Sequence, residues 1–169
     1  NQKWTEKAKQ RILSSRENVT RSLVDAINQE APQLKAFVSA SAVGIYPNAG
    51  KQALTEQSSL GQDENFLPQV CKKWEQASSH LKQTVRRCII RVGVVLQNGE
   101  GFLSQLEPLY RKGIAGPIGM GDRHLSWIHI DDLVALFIEA LTNDQYEGVF
   151  NGTAPHPCSN AQFNKSFSQ

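Results

Sequence analysis

A chain of 169 residues has room for one domain with a sizeable core. Its 40% hydrophobic and 20% charged residues are ordinary for a globular protein. A net charge of +2, with bases scattered among acids, gives no electrostatic case for nucleic acid or an anionic membrane. No run approaches the roughly 18 apolar residues a membrane helix needs. Asn1 to Gln10 are polar and charged, unlike a signal peptide. The default expectation is therefore cytoplasmic. Cys71, Cys88 and Cys158 form no CxxC pair and no ligand cluster with His80, His124, His129 or His156. Free thiols and no metal site are expected. The sequons at Asn18, Asn151 and Asn164 read as chance matches. The chain starts inside one helical pattern and stops inside another, so both ends read as cut.

Along the chain, Trp4, Ala8, Ile12, Val19, Leu23 and Ile27 mark one face of a long amphipathic helix. Pro32 closes it. Ala36-Phe37-Val38, ending in Ser39-Ala40-Ser41, fits a buried strand of a parallel sheet. Pro47 to Asn65, rich in Gly, Gln and Ser, reads as an irregular loop. Phe66, Val70, Trp74, Ala77 and Leu81 predict a second amphipathic helix. Arg87 to Leu96 predicts one strand covered on both faces, and Asn98-Gly99 a turn. Phe102, Leu103, Leu106 and Tyr110 begin a third helix that fades at Gly113. A loop carrying glycines 113, 116, 119 and 121 follows. Trp127 to Ile130 is a short strand, and Asp131 or Asp132 caps a fourth helix with Leu133, Leu136, Phe137, Ala140 and Leu141. Tyr146 to Asn151 is a last strand, and Ser159 caps a final helix through Phe163 and Phe167. Such alternation predicts an α/β fold with a parallel sheet flanked by helices.

Ligands of open α/β sheets sit beyond the carboxyl ends of the strands. Two sets of polar residues interrupt the apolar strands near such ends. Ser39 and Ser41 close the first strand, either as core hydroxyls bonded to backbone or as groups facing a ligand. Arg91 lies among Ile89, Ile90, Val92 and Val94. A buried guanidinium there requires an internal carboxylate or a waiting anion.

With Ser41, Arg91 and the Ser126 to Asp132 run, the sequence resembles the extended short-chain dehydrogenase/reductase superfamily. It resembles in particular the NADP-binding epimerase-family branch, short-chain dehydrogenase/reductase family 39. The features that carry the likeness are Trp4-Thr5-Glu6-Lys7, Ser15-Arg16, Val38 to Gly44, Trp74-Glu75, Arg91 to Leu96, Gly116 to Gly119, Trp127 to Leu133 and Asn151 to Pro155. They span nearly the whole chain in order. The resemblance implies a Rossmann-like fold, with NADP as cofactor and a small, unidentified substrate. It indicates neither nucleic acid nor membrane as partner and leaves the oligomeric state open. No GxGxxG occurs in the chain. The strands and glycine-rich turn that would hold the pyrophosphate are expected upstream of Asn1, so residues 1–169 form a partial domain, with substrate-side elements within 101–169. Weak or absent cofactor binding is the expectation for these residues alone.

Position by position, the resemblance implies cofactor contacts from Arg16, Ser39, and Arg91 to Gly93 (Arg91, Val92 and Gly93). It makes Ser41 the serine that hydrogen-bonds the substrate's reacting oxygen. One departure is large. Extended members use Tyr-x-x-x-Lys, followed four residues later by glutamate. Aligning Glu75 with that glutamate puts Cys71 at the lysine and Leu67 at the tyrosine, and Tyr46, Tyr110 and Tyr146 do not restore the motif in another register. The implied function is an NADP-dependent oxidoreductase or epimerase-like protein lacking the dyad. The alternative, which the missing dyad favours, is a non-catalytic NADP(H)-binding regulatory or sensor module.

Overall fold

Thr5 starts the first helix, its hydroxyl accepting the amide of Ala8 at 3.2 Å. Helix α1 then runs Glu6–Glu30; of the expected apolar face Ile27 is buried but Val19 and Leu23 are exposed, and Thr20 and Val24 are buried instead. The computed structural model describes residues 4–113, 116 and 123–167. After α1 come strand β1 (Ala36–Ala42), a 3-10 turn (Val43–Ile45), α2 (Phe66–Gln76), β2 (Arg86–Val92), β3 (Val94–Gln97) and α3 (Gly101–Arg111). They are followed by β4 (His124–Leu125), β5 (Trp127–His129), α4 (Ile130–Thr142), β6 (Gly148–Gly152), β7 (Cys158–Ser159) and α5 (Asn160–Phe167).

Strands β1, β2 and β6 form a parallel sheet in that order. Its two faces have separate cores. On one, Val24 and Ile27 of α1 pack with Phe37, Leu81 and Val85. On the other, Cys88 and Ile90 of β2 meet Leu133, Leu136, Phe137 and Ala140 of α4. Each fully buried Val, Ile or Phe contributes about 1.5–3 kcal/mol, so the sheet is held from both sides, as continuous apolar strands require.

The structure corrects four further expectations. The strand expected over Arg87 to Leu96 is two strands. Gly93 breaks it: its amide bonds Gly152 O at 3.0 Å, and the chain then turns so that β3 pairs with β5 in a separate sheet. A Cβ at Gly93 would stand 2.6 Å from Ser126 O, which leaves room for hydrogen alone. Helix α2 ends at Gln76, not Leu81, because Ala77 to Leu81 continue as turns that still bury Ala77 and Leu81. The cap of α4 is His129, whose Nδ1 accepts the amide of Asp131, while Asp131 and Asp132 sit in the first turn. The short antiparallel pair β4–β7 was not anticipated.

Ser159 does cap α5. Its hydroxyl accepts the Gln162 amide at 3.1 Å and its own amide reaches back to Gln162 Oε1 at 2.8 Å, a reciprocal capping box. Helix α5 also rests on α3 through Phe102 and Phe163, ring centroids 5.9 Å apart. Of the expected glycine loop, Gly119 and Gly121, with most of the Gly116 to Gly119 run, lie outside the described residues.

Candidate functional site

In the parallel register Ser41 stands opposite Arg91, and Arg91 opposite Asn151. Side chains in register on neighbouring strands share a face, so this polar row crosses all three strands at their carboxyl ends. Helix α2 lays Glu75 over it. The Arg91 guanidinium donates from Nε to Glu75 Oε1 and from Nη2 to Oε2, both at 2.9 Å. This is the bidentate geometry that makes such pairs strong. Ser41 Oγ donates to Oε1 at 2.6 Å. Arg91 Nη1 donates to Tyr46 Oη at 2.8 Å, and Tyr46 donates onward to Asn151 Oδ1 at 2.8 Å. Glu56, from the loop after β1, accepts the Asn151 amide at 2.7 Å.

Arg91 is 4% exposed. Burial acts to lower its pKa, but hydrogen bonds to Glu75 and Tyr46, with the Glu75 charge, outweigh burial and raise it above the ordinary guanidinium value. It stays a cation. Of the two readings open for Arg91, the geometry is that of an internal ion pair, with Glu75 as the carboxylate.

The remaining candidates are distributed as follows. Ser41 is 3% exposed and donates its hydroxyl to Glu75. Ser39 Oγ donates to Ala40 O at 3.2 Å. The Val92 side chain belongs to the core against α4, leaving only its backbone toward the strand end. Arg16 reaches the same neighbourhood from α1. Its guanidinium lies 5.3 Å from the ring centre of Trp74, the residue before Glu75. It also donates to Ile12 O at 3.2 Å, and among the described residues no carboxylate pairs with it.

The two positions that the resemblance assigns to the dyad, Leu67 and Cys71, carry groups of another kind. Cys71 is 3% exposed. Burial, the largest influence, raises its pKa despite contacts with Ala42, Arg16 and Ser41, so it is a neutral thiol in the core. Leu67 is 46% exposed beside Gly44. His129, Asp131 and Asp132 form a helix start at the surface; no group of three metal-ligating side chains occurs among the described residues.

Beside the polar row opens a cleft of about 530 Å³. Tyr46, Lys51, His124, Ser126, Asn151 and Thr153 contribute its polar lining. Sequence reasoning missed Tyr46 and Asn151 as site residues and used Glu75 only to set the dyad's register. One signal was available: an arginine in an apolar strand demands a buried carboxylate, and Glu75 sits in the helix that packs on that strand.

Three comparisons bear on this arrangement. The family described as NAD dependent epimerase/dehydratase matches residues 1–151. The chain is 41% identical to the chloroplastic epimerase family protein SDR39U1 homolog of Arabidopsis thaliana, over 92% of this chain and 45% of that protein. It is 37% identical to the epimerase family protein YfhF of Bacillus subtilis, over 99% and 55%. Among solved structures it superposes on human SDR39U1 (isoform 2) with NADPH at a TM-score of 0.93 and 34% identity, covering 99% of this chain and 56% of that one. It superposes on the nucleoside-diphosphate sugar epimerase of Corynebacterium glutamicum at 0.88 and 34%, covering 99% and 36%. The chain thus spans about half the length of these curated relatives. The parallel sheet with helices on both faces, the in-register row at its carboxyl end and the match over residues 1–151 agree: the chain belongs to the NAD-dependent epimerase/dehydratase family.

Proposed function

We propose that the protein is an NADP-dependent oxidoreductase or epimerase-like protein. In this reading it takes a small substrate in the cleft bordered by Tyr46 and Asn151 and works without a Tyr-x-x-x-Lys dyad. The observation that carries the reading is the row Ser41–Arg91–Asn151, buried at Ser41 and Arg91 and locked by Glu75, at the strand ends where α/β proteins hold their ligands. NADP is supported by the human relative, which was crystallised with NADPH.

The residues present suit one part of such a cofactor. Arg16, a half-buried cation with no carboxylate partner among the described residues, is suited to a phosphate or ribose oxygen as a planar fork. The backbone at Val92 and Gly93 would flank a bound nicotinamide, and Ser39 would lie in the strand beneath it. No glycine-rich phosphate turn is present in this sequence. A bound nicotinamide supplies or accepts hydride. The chain's own part is to hold the strand ends rigid: Glu75 fixes Ser41 and Arg91, and Arg91 fixes Tyr46 and Asn151. Residues within 101–169 supply the substrate side, His124, Ser126 and Thr153 among them.

The test, made on the full-length protein, follows NADPH oxidation at about 340 nm across aldehydes, ketones and nucleotide sugars, beside a calorimetric NADPH titration. Turnover supports the proposal, and absence of NADPH binding defeats it. Tight binding with a silent panel selects the second reading, a non-catalytic NADP(H)-binding sensor. The apolar Leu67 and the neutral Cys71 at the dyad positions favour that reading. It predicts that NADPH changes a partner or oligomeric state without turnover.

A further inference from the structure

The missing tyrosine and lysine leave a chemical vacancy that two other residues are placed to fill. Tyr46 is a wall of the cleft. Its phenolic oxygen accepts a hydrogen bond from Arg91 Nη1 and donates one to Asn151 Oδ1, each at 2.8 Å. The Arg91 guanidinium carbon lies 5.1 Å from the Tyr46 ring centre, so the cation and the phenol are held together twice over. Glu75 engages Nε and Nη2 of the same guanidinium, which leaves the Nη1 end for the phenol. A tyrosine hydroxyl, a fixed cation at its oxygen and an open cleft in front of it are the parts the dyad supplies in other members. Here they are assembled from the residue that follows the 3-10 turn after β1 and from β2 rather than from one helix.

We propose that Tyr46 is the proton donor and acceptor for the substrate oxygen, with Arg91 as its fixed cationic partner and Asn151 as the acceptor that aims its hydroxyl. The inference rests on the cleft being the substrate site. In the reducing direction the carbonyl carbon gains hydride from a reduced nicotinamide. The carbonyl oxygen takes the Tyr46 proton, the C=O bond becomes C–OH, and the phenol oxygen recovers a proton from solvent through the cleft. The oxidising direction is the reverse. Charge appearing on the phenol oxygen as its proton leaves meets a donor that is already in place and fully charged, the preorganised arrangement that stabilises a transition state without reorganisation. The loss of the ordinary dyad is thereby compensated. Ser41 and Glu75 act through Arg91 and are positioning residues.

The test uses the full chain carrying tyrosine labelled with ¹³C at Cζ. The three tyrosines, Tyr46, Tyr110 and Tyr146, give three signals, and the Tyr46 signal is the one missing in Tyr46→Phe. The substitution deletes one oxygen and leaves the Arg91–Glu75 pair intact. The probe is pyridine-3-carbaldehyde, a small soluble carbonyl compound. Its addition is expected to move the Tyr46 signal saturably and to leave the other two in place. NADPH-dependent reduction of the probe is expected to fall by about 10²-fold or more in Tyr46→Phe, the usual share of a general acid, mainly in kcat, with NADPH affinity within about twofold of wild type. A static Tyr46 signal, or a Tyr46→Phe protein that reduces the probe as fast as wild type, overturns the proposal. Failure of the full-length wild type to bind NADPH overturns the oxidoreductase reading instead; the signal shift, which needs no cofactor, still decides whether Tyr46 touches the carbonyl.

Discussion

Replacing Glu75 tests the polar row as a mechanical unit. Arg91 and Glu75 form a pair whose side chains are 5% and 13% exposed. The carboxylate accepts two guanidinium bonds and the Ser41 hydroxyl. Removing one member of a buried pair costs about 3–5 kcal/mol, because the other charge is left uncompensated. Glu75→Gln keeps the shape and one acceptor but turns an amide NH₂ toward the guanidinium. The expected loss is therefore somewhat smaller, about 2–4 kcal/mol. For a domain of this size each kcal/mol lowers Tm by roughly 2–4 °C, so a fall of about 4–16 °C should be seen. Glu75→Leu should cost more than Glu75→Gln. Glu75→Leu combined with Arg91→Met removes both charges and should recover part of the loss, giving a coupling of about 2 kcal/mol or more in a double-mutant cycle. Urea unfolding followed by far-UV circular dichroism and tryptophan fluorescence gives each value. A Glu75→Gln protein within about 0.5 kcal/mol of wild type, or a coupling near zero, would refute the claim that this pair locks the site.

Gly93→Ala must push its methyl group into Ser126 O, 2.6 Å away, and should cost about 1–3 kcal/mol in urea unfolding; an unchanged midpoint would contradict the close approach. Arg86 donates to the carbonyls of Ala140, Tyr146 and Leu141 at 2.7, 2.6 and 3.1 Å. Arg86→Leu strands those acceptors and should destabilise by about 2–3 kcal/mol, measured the same way. Burial raises the Cys71 and Cys88 thiol pKa values above the ordinary 9.0. The neutral-thiol stabilisation is complete below pH 9.0 and is lost as pH rises toward the folded values, since the unfolded state ionises first. Stability should accordingly decline above about pH 9, and both thiols should resist a thiol reagent until the protein unfolds.

Much of this fold is legible from local pattern. Strand β1 reads directly from Ala36 to Ser41, and the four-residue apolar steps place α1, but they misjudge its buried face, which carries Thr20, Val24 and Ile27 while Val19 and Leu23 are exposed. The errors fall where contacts distant in sequence decide. Val94 to Leu96 are as apolar as Cys88 to Val92, so nothing local shows that Gly93 hands the chain to another sheet. Only the approach of Ser126 requires it. Ala77 and Leu81 keep helical spacing because both are buried, yet the backbone between them is turned. At the start of α4 the two aspartates are the commoner caps, and His129 takes the role through a ring nitrogen that composition does not advertise. The site divides in the same way. Arg91's need for a counter-charge is written in its strand, but Glu75 as the partner, the bond from Ser41's hydroxyl to that carboxylate, and Tyr46's place at the cleft are products of three elements meeting.

Arg16 and the Ser41–Glu75–Arg91 network are proposed to border a common NADP site. The direct measurement is a calorimetric NADPH titration of the full-length wild-type protein, with the residues that precede Asn1, against Arg16→Gln, with melting temperatures confirming that both are folded. A lost charge-assisted bond of about 1.5–3 kcal/mol predicts affinity weakened by about tenfold or more in the variant. Equal affinities for NADPH in the two proteins would contradict the account.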